Sequence, residues 1–262
     1  MGFYFGNRKV DNSLAKIILS ILAIVIIIAV LGLVGIVLFP IAIFVVIVLI
    51  FVALIVPIAA VFGAGKWMKG IRGSGDIMTE IRDVLEFDCI NLGICCELTV
   101  EQGETQELTI EADDNILGYI LSYVQEGVLH INTKNSLIPN KKIIIQLTTP
   151  NFKNLTISGK ASANLKNIKA DDVRIKISGN GKASGQGKIE RLELVISGVG
   201  DIKFKELKTH STKLKISGKG SAELYVEDNL DALINGTGKA NVWGKPKNVS
   251  KQINGLGKIN II

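Results

Sequence analysis

Histidine is scarce in this chain, which has 262 residues and only two histidines, His130 and His210. Hydrolases and lyases built on repetitive β folds need carboxylates, basic residues or histidines gathered on one face. Neither histidine has neighbours at a spacing that indicates a catalytic triad, and we interpret both as surface or hydrogen-bonded histidines. The sequence therefore predicts no catalytic residue, no cofactor-binding residue and no enzyme.

Cysteine is equally rare, with three residues: Cys89, Cys95 and Cys96. An odd number in so long a domain does not indicate a disulfide framework and favours a reducing compartment. Alternation of apolar residues predicts that Cys96 lies in the core and that Cys89 and Cys95 point outward. The C-x5-C-C spacing does not match a zinc motif. The Gly-x-Gly-Asp phrases ending at Asp76 and Asp201 lack the acid in every turn that a calcium ladder needs, so we expect no metal.

Charged residues are absent from residues 17–62. Residues 17–39 are 23 positions long and as a helix would reach roughly 34 Å, enough for a hydrocarbon core of about 30 Å. Residues 41–62 form a second such stretch, and Pro40 favours a break between them. A cleaved secretory signal has an apolar core of only about 7–15 residues. The sequence therefore predicts a transmembrane helical hairpin within a membrane anchor of residues 1–70; a shallow or re-entrant insertion is the alternative.

Basic residues flank both ends of the apolar stretch. They are Arg8, Lys9 and Lys16 before it and Lys66, Lys69 and Arg72 after it. A helical hairpin places both flanks on one face of the bilayer, and the positive-inside rule makes that face cytoplasmic. We therefore expect a multi-pass integral protein of the plasma membrane, with the lipid bilayer as one partner and the remaining residues on the cytoplasmic side.

A repeat with six copies occupies residues 151–262. Each copy carries Ile-Ser-Gly or Ile-Asn-Gly, and a second glycine follows two positions later in every copy but the first. The isoleucines are 20, 19, 20, 18 and 19 residues apart, a spacing typical of a solenoid. The repeated isoleucine and first glycine are Ile157 and Gly159, Ile177 and Gly179, Ile196 and Gly198, Ile216 and Gly218, Ile234 and Gly236, and Ile253 and Gly255.

The local period of this repeat is two, since apolar residues alternate at Val173, Ile175 and Ile177. A period of two indicates strands rather than helices. We predict an all-β fold, a parallel and right-handed β-helix with about 19–20 residues per rung, whose isoleucines stack as a core ladder. Glycine suits the corner after each strand because it adopts positive φ without steric clash and leaves room for backbones about 4.8 Å apart.

Residues 71–150 are less regular but still strand-like. Residues 121–125 and 128–133, joined by a Glu-Gly turn, predict a β-hairpin. At the other end of the chain, residues 259–262 leave an apolar last rung without a polar cap. Such an end favours self-association.

Charge is distributed unevenly after the apolar stretch. Residues 71–140 hold 3 basic and 13 acidic residues, whereas residues 141–262 hold 22 basic and 10 acidic residues. Lysines on exposed strands also discourage edge pairing, so the excess has a structural interpretation. Its functional interpretation is binding of an anionic polymer, a lipid headgroup or a protein at the envelope, or head-to-tail self-association. Nucleic acid ranks last because aromatic residues for base stacking are sparse in the repeat.

Several short phrases, taken in order, resemble a known family. They are Gly73-Ser74-Gly75-Asp76, Phe87-Asp88, Glu111-Ala112-Asp113-Asp114-Asn115, Pro150-Asn151-Phe152-Lys153-Asn154-Leu155 and the repeated Ile-Ser-Gly-x-Gly. Together, over residues 71–262, they resemble the head GIN domain family, described as putative auto-transporter adhesins. The resemblance implies a β-helical, envelope-associated domain that is commonly exported, and it implies adhesion without assigning a binding residue. Export conflicts with the cytoplasmic side that the flanking charges favour.

Two functional hypotheses come from these observations. The first is a membrane-anchored, non-enzymatic β-helix with an adhesin-like or cell-envelope interaction. The second is a cytoplasm-facing structural scaffold that associates with itself through the open end of the solenoid. A carbohydrate-active enzyme on the same fold ranks third because the acid–base cluster that it needs is missing from the sequence.

Overall fold

The computed structural model describes residues 4–5, 8–9, 16–29, 32, 50 and 70–262. The chain divides into two compact units, Met1–Met68 and Lys69–Ile262. In the first unit, strands β1 (Tyr4–Phe5) and β2 (Arg8–Lys9) pair antiparallel.

Residues 16–29 of the first unit form a helix, α1, whose apolar side chains are exposed; the exposed fraction of Leu19 is 70%. Within the described ranges, no helix is both long and apolar enough to cross a membrane. Residues 17–29 and 32 of the first predicted span and residue 50 of the second are described, and the other residues of both spans lie outside the described ranges. The two-span anchor therefore stays a prediction.

The second unit consists almost entirely of strands, as the alternating pattern predicted. Those before the repeat are β3 (Ile71–Arg72), β4 (Ile77–Arg82), β5 (Cys89–Leu92), β6 (Cys96–Gln102), β7 (Glu107–Asp113), β8 (Ile120–Gln125), β9 (Val128–Thr133), β10 (Leu137–Ile138) and β11 (Ile144–Thr149). Those of the repeat are β12 (Asn154–Ile157), β13 (Lys160–Ile177), β14 (Asn180–Ile196), β15 (Val199–Ile216), β16 (Lys219–Ile234), β17 (Thr237–Trp243), β18 (Asn248–Ile253) and β19 (Leu256–Ile261). A short helix, α2 (Asp114–Leu117), follows β7.

The strands of the repeat pair in parallel and form a β-solenoid of about five turns. Strands β13 to β16 contain 16–18 residues each, and each stacks on the next over most of its length. The all-β, parallel fold that the repeat predicted is confirmed, and the right-handed sense stays a prediction.

The isoleucine ladder lies in the core of the solenoid, with each isoleucine in register with the next. Five of the six repeated isoleucines are completely buried: Ile157, Ile177, Ile196, Ile216 and Ile234. Ile253 is 42% exposed, so the prediction is wrong for this last member. An inner rung is covered on both sides, whereas Ile253 lies in the last rung of the described structure and is covered on one side only.

The repeated glycines allow close approach between rungs and do not supply an unusual backbone angle. In the described residues the glycines with positive φ are Gly75, Gly127, Gly187 and Gly244, all outside the repeated phrase. A Cβ added to Gly198 would lie 2.1 Å from the carbonyl oxygen of Gly179, one rung away, where real Cβ contacts stay above 3.0 Å. The prediction of a positive φ at the repeated glycines is therefore wrong, and the prediction that glycine leaves room for closely spaced backbones is confirmed.

The strands before the repeat cover one end of the solenoid. Strands β5, β9 and β8 extend one sheet beyond β12, and β6, β11, β7 and β4 extend another beyond β13. Strands β8 and β9 form the predicted hairpin. Its turn residues Glu126 and Gly127 have φ of 52° and 72°, as a two-residue hairpin turn requires.

At the opposite end, an exposed lysine of the last rung continues a column whose earlier members are buried. Lys251 of β18 is in register with the buried Ala232 of β16, in the column where the preceding rung has Leu214. A lysine on an edge strand opposes further strand pairing. The expectation that residues 259–262 leave an apolar last rung without a polar cap stays a prediction, and Val249 and Leu256 in the last strands are exposed.

Candidate functional site

A cleft of about 1110 Å³ crosses the rungs of the solenoid. Its floor follows one column that is buried except at Val249 in the last rung, and its walls are the outward-facing columns on either side. The floor holds Val173, Leu192, Thr212, Leu230 and Val249. One wall holds Asp172, Arg191, Ser211, Asn229 and Asn248, and the other holds Arg174, Glu193, Lys213, Asp231 and Ser250.

Both arginines of the cleft are neutralised by carboxylates one rung away. Arg191 donates from Nε and Nη2 to the two carboxylate oxygens of Asp172, each at 2.5 Å. On the facing wall, Arg174 Nε lies 3.3 Å from Glu193 Oε2. The pairing with Arg191 holds the pKa of Asp172 below its ordinary value.

Similar ion pairs lie at the two ends of the cleft. Lys153 Nζ lies 2.6 Å from Asp88 Oδ2, and Lys247 Nζ lies 2.9 Å from Asp228 Oδ1. The hydrogen bonds from these lysines hold the pKa of both carboxyls below the ordinary value. Such carboxyls stay ionised at neutral pH and are poor general acids. Chemically, the cleft offers compensated charges and polar groups.

A row of hydrogen-bonded side chains continues one wall of the cleft. Asn248 Nδ2 donates to Asn229 Oδ1 at 2.9 Å, and Asn229 Nδ2 donates to Ser211 Oγ at 3.2 Å. The described lining of the cleft contains no aromatic side chain. It therefore offers no platform on which a planar ring could stack.

The second wall of the cleft, which begins at Arg174, has a sequence pattern separate from the repeated Ile-Ser-Gly phrase. Arg174, Glu193, Lys213 and Asp231 lie 19, 20 and 18 residues apart, each three positions before a repeated isoleucine. Alternating charge at the period of the repeat would have predicted the column. That the column borders a concavity depends on the tertiary structure.

The three cysteines are free thiols in different environments. Cys96 is buried and Cys95 is exposed, as predicted, and burial raises the pKa of Cys96 to about 12. Cys89 lies on the outward face of β5, as predicted, but it is half-buried. Burial, together with a contact of 3.1 Å between its Sγ and Asp88 Oδ1, raises the pKa of Cys89 to about 11.

The two histidines contact residues that suit a structural role. The ring of His130 stacks on Tyr123, with centroids 5.1 Å apart. His210 Nε2 lies 3.7 Å from Asp228 Oδ2, whose other carboxylate oxygen binds Lys247. Across residues 70–262 and the shorter described segments, no three acidic, cysteine or histidine side chains gather closely enough to hold a metal ion.

A second concave surface, the trough, follows the glycine corner of the solenoid. Two depressions of about 370 and 470 Å³ form it and share Asn180 and Lys182. Its glycines are Gly181, Gly200, Gly220 and Gly238. Its lysines are Lys141, Lys142, Lys160, Lys182, Lys219 and Lys239, and Lys258 follows in register with Lys239. Stacked glycines and lysines therefore share one edge of the solenoid.

Two phrases of the family resemblance, residues 73–76 and residues 111–115, lie close together around Asp113. This residue is completely buried, and its carboxylate accepts hydrogen bonds from the backbone N–H groups of Gly75, Asn140 and Lys141 at 2.8, 2.9 and 3.4 Å. A Cβ added to Gly73 would lie 2.3 Å from this carboxylate. The phrases therefore encode a clasp that joins the start of the second unit to the end of β7.

Replacing Asp113 with asparagine is expected to lower the melting temperature at pH 7, because an amide has one acceptor oxygen where the carboxylate has two. Burial raises the pKa of Asp113, but the backbone hydrogen bonds lower it more, and the pKa lies below its ordinary value. Stability from the ionised group is therefore present above about pH 4 and is lost as the pH falls through the lowered pKa.

Calorimetry between pH 7 and pH 3 checks this expectation. The difference in melting temperature between wild type and D113N should narrow below about pH 4. D83N, which alters an exposed carboxyl, is the matched control and should melt like wild type. A difference that does not change with pH would contradict the role of the ionised carboxylate.

Comparisons with known proteins give one family model and several similar solved structures. A family model described as "Putative auto-transporter adhesin, head GIN domain" matches residues 86–246. The chain is similar to the crystal structure of a putative adhesin from Bacteroides fragilis, with 21% identity, a TM-score of 0.63, and coverage of 74% of this chain and 100% of that one. A putative lipid binding protein from Parabacteroides distasonis also matches, with 23% identity, a TM-score of 0.49 and coverage of 73% and 99%. No curated protein matches in sequence. At these identities the likeness to the Bacteroides protein shows the fold alone.

Proposed function

We propose that this chain, which belongs to the head GIN domain family of putative auto-transporter adhesins, is a membrane-anchored, non-enzymatic β-solenoid. In this proposal the β-solenoid has an adhesin-like or cell-envelope interaction. Family membership is the observation that carries the proposal. In this role the anchor holds the protein at the membrane, and the stacked rungs present long columns of side chains to a partner.

The exposed apolar helix α1 supports the anchor. Its large hydrophobic side chains between residues 17 and 28 are 54–70% exposed, and residues 17–62 contain no charge. A helix that is apolar on all sides is typical of one surrounded by lipid or by other protein. Recovery of the full chain in the membrane pellet after alkaline extraction is the expected result, and release into the supernatant would contradict the anchor.

The charge arrangement of the cleft supports binding rather than catalysis. Acid–base catalysis needs a group whose pKa lies near the working pH. Asp172 and Asp228 are instead held ionised by Arg191 and Lys247. The absence of turnover of soluble and insoluble polysaccharides by the purified full chain is the expected result, and measurable hydrolysis would overturn the non-enzymatic proposal.

Labelling of Cys95 tests on which side of the membrane the solenoid lies. A membrane-impermeant maleimide reacts with a thiolate, and the raised pKa of Cys89 and Cys96 keeps those two thiols protonated. The exposed Cys95 should therefore carry most of the label. The adhesin-like proposal expects labelling in intact cells and loss of that labelling in C95S but not in C89S.

The opposite labelling result favours a second candidate function, the cytoplasm-facing, self-associating scaffold. Cys95 would then react only after the cells are opened. Exposed Val249, Ile253 and Leu256 in the last strands favour this candidate, whereas Lys251, an exposed lysine on edge strand β18, opposes it. Sedimentation of the full chain in neutral detergent decides it: oligomers that grow with protein concentration support the scaffold, and a monomer at every concentration contradicts it.

A further inference from the structure

Lysines recur along the trough at the period of the solenoid. Five of the six copies of the repeat place a lysine directly beside the second glycine or its equivalent Ala161, at Lys160, Lys182, Lys219, Lys239 and Lys258. The third copy has Val199 and Asp201 at these positions. Since rungs are about 4.8 Å apart, the row from Lys160 to Lys258 extends for roughly 24 Å.

The positive charge of the trough is not neutralised within the described structure. Of its seven lysines, Lys142 alone has an ion-pair partner, Glu97. Asp201, the other carboxylate in the lining, accepts a hydrogen bond from Ser221 Oγ at 2.6 Å. The cleft differs, because both of its arginines are ion-paired. Uncompensated charge concentrated in a concave surface attracts anions.

The concave shape of the trough is built into the repeat. A Cβ added to Gly200 would lie 2.8 Å from Ile196 Cγ2, and one added to Gly181 would lie 2.9 Å from Ile177 Cγ2. Gly181 and Gly200 are buried and face the isoleucine ladder, so this line carries no outward side chain, whereas the columns on either side of it point outward. A trough without side chains, bordered by lysines, accommodates a chain that runs along the solenoid axis.

We propose that the trough binds a linear polyanion, whose charged groups lie along the glycine floor and pair with the lysines of successive rungs. The inference rests on the proposed envelope role and names its binding surface and the chemistry of its partner. A linear chain fits better than a planar bilayer because a chain can reach the floor of the trough, whereas a flat surface contacts only its rim. The described lining also lacks aromatic side chains for stacking bases.

The hydroxyl and amide groups of the trough complement such a ligand. Ser162 and Asn180 lie between Lys160 and Lys182 in the first depression, and Ser221 lies beside Lys219 in the second. Ser162 and Asn180 can donate hydrogen bonds to phosphate, sulfate or carboxylate oxygens, whereas the hydroxyl of Ser221 already donates to Asp201. The shared chemistry is therefore a chain of oxyanions, and separate probes distinguish phosphate from carboxylate.

Binding to fluorescent inorganic polyphosphate and to poly-L-glutamate tests the proposal, with the full chain in neutral detergent and fluorescence anisotropy as the readout. The trough variant combines Lys182→Glu and Lys239→Glu. The matched control combines Lys176→Glu and Lys215→Glu, two exposed lysines outside the trough. Both variants change the net charge equally, and their melting temperatures establish that they fold.

The expected result is binding of at least one of the two polyanions that weakens as salt is raised, because screening reduces attraction between exposed charges. The affinity of the trough variant for the polymer should fall by at least about tenfold, and the affinity of the control should stay within about twofold of wild type. A preference for polyphosphate or for polyglutamate would identify the oxyanion.

Three results would overturn the proposal. The first is that neither polymer binds at low salt. The second is that the trough and control variants lose polymer affinity equally. The third is that either polymer binds only when an anionic lipid is added to the detergent micelles. Because these measurements use purified protein in detergent, they are independent of membrane extraction and Cys95 labelling. Failure of the trough and failure of the envelope role are therefore distinguishable.

Discussion

Gly218→Ala is expected to destabilise the solenoid by about 3 kcal/mol or more, the upper end of the effects of overpacking. The added Cβ would lie 2.1 Å from the carbonyl oxygen of Gly198 and 2.5 Å from that of Ser197. Both obstacles are backbone atoms of the adjacent rung, so no side-chain rotation relieves the clash. The rungs would have to separate locally, which lengthens hydrogen bonds such as Lys219 N–H to Gly198 O at 3.0 Å. Urea unfolding monitored by circular dichroism measures the loss.

Gly118→Ala is the matched control for this substitution. Nothing lies within 4 Å of a Cβ added to Gly118, and its φ of −64° suits alanine. The expected change is small or stabilising by about 0.4–1 kcal/mol, because alanine reduces the freedom of the unfolded chain. Equal losses at both glycines would mean that rung stacking does not limit the space at Gly218.

Ile216→Ala is expected to cost about 2–5 kcal/mol, the range for removing a large aliphatic side chain from a core. Ile216 is completely buried and in register with Ile196 and Ile234 in the neighbouring rungs. The substitution leaves a cavity inside a column, and the rungs on either side cannot move together without losing their backbone register. Chemical denaturation measures the free energy of unfolding.

Two further substitutions serve as controls for the loss of stability at Ile216. Lys219→Ala, at an exposed position three residues away, should change stability by no more than about 0.5 kcal/mol. Ile253→Ala, in the half-exposed last rung, should lose less than Ile216→Ala because its side chain is covered on one side only. A loss at Ile253 as large as at Ile216 would contradict the open end and favour a partner molecule that covers it.

The sequence predicted much of the fold because a solenoid makes long-range contacts between residues one period apart. The constant spacing of Ile177, Ile196 and Ile216 was enough to place them in one buried column. The period-two alternation around Cys96 likewise placed that thiol in the core. Both inferences need only the period and the side-chain direction, and both are visible in the chain itself.

The candidate site was less predictable because its properties arise between columns. Asp172 and Arg191 are 19 residues apart and carry no motif, yet rung stacking brings their charged groups to 2.5 Å. The lysine excess after residue 140 was visible in the sequence. Which lysines are paired, such as Lys247, and which border the trough, such as Lys239, became visible only in three dimensions.

By itself the sequence determined the strand period, the rung length and the identity of the buried ladder, since these follow from local alternation and a fixed repeat. The tertiary structure alone decided three other properties: why glycine is required, where charge is neutralised, and what covers each end. Gly198 is needed because the carbonyl oxygen of Gly179 occupies the space of its missing Cβ. Ile253 is exposed, and Ile234 is not, because coverage depends on the next rung and not on the phrase that both residues share.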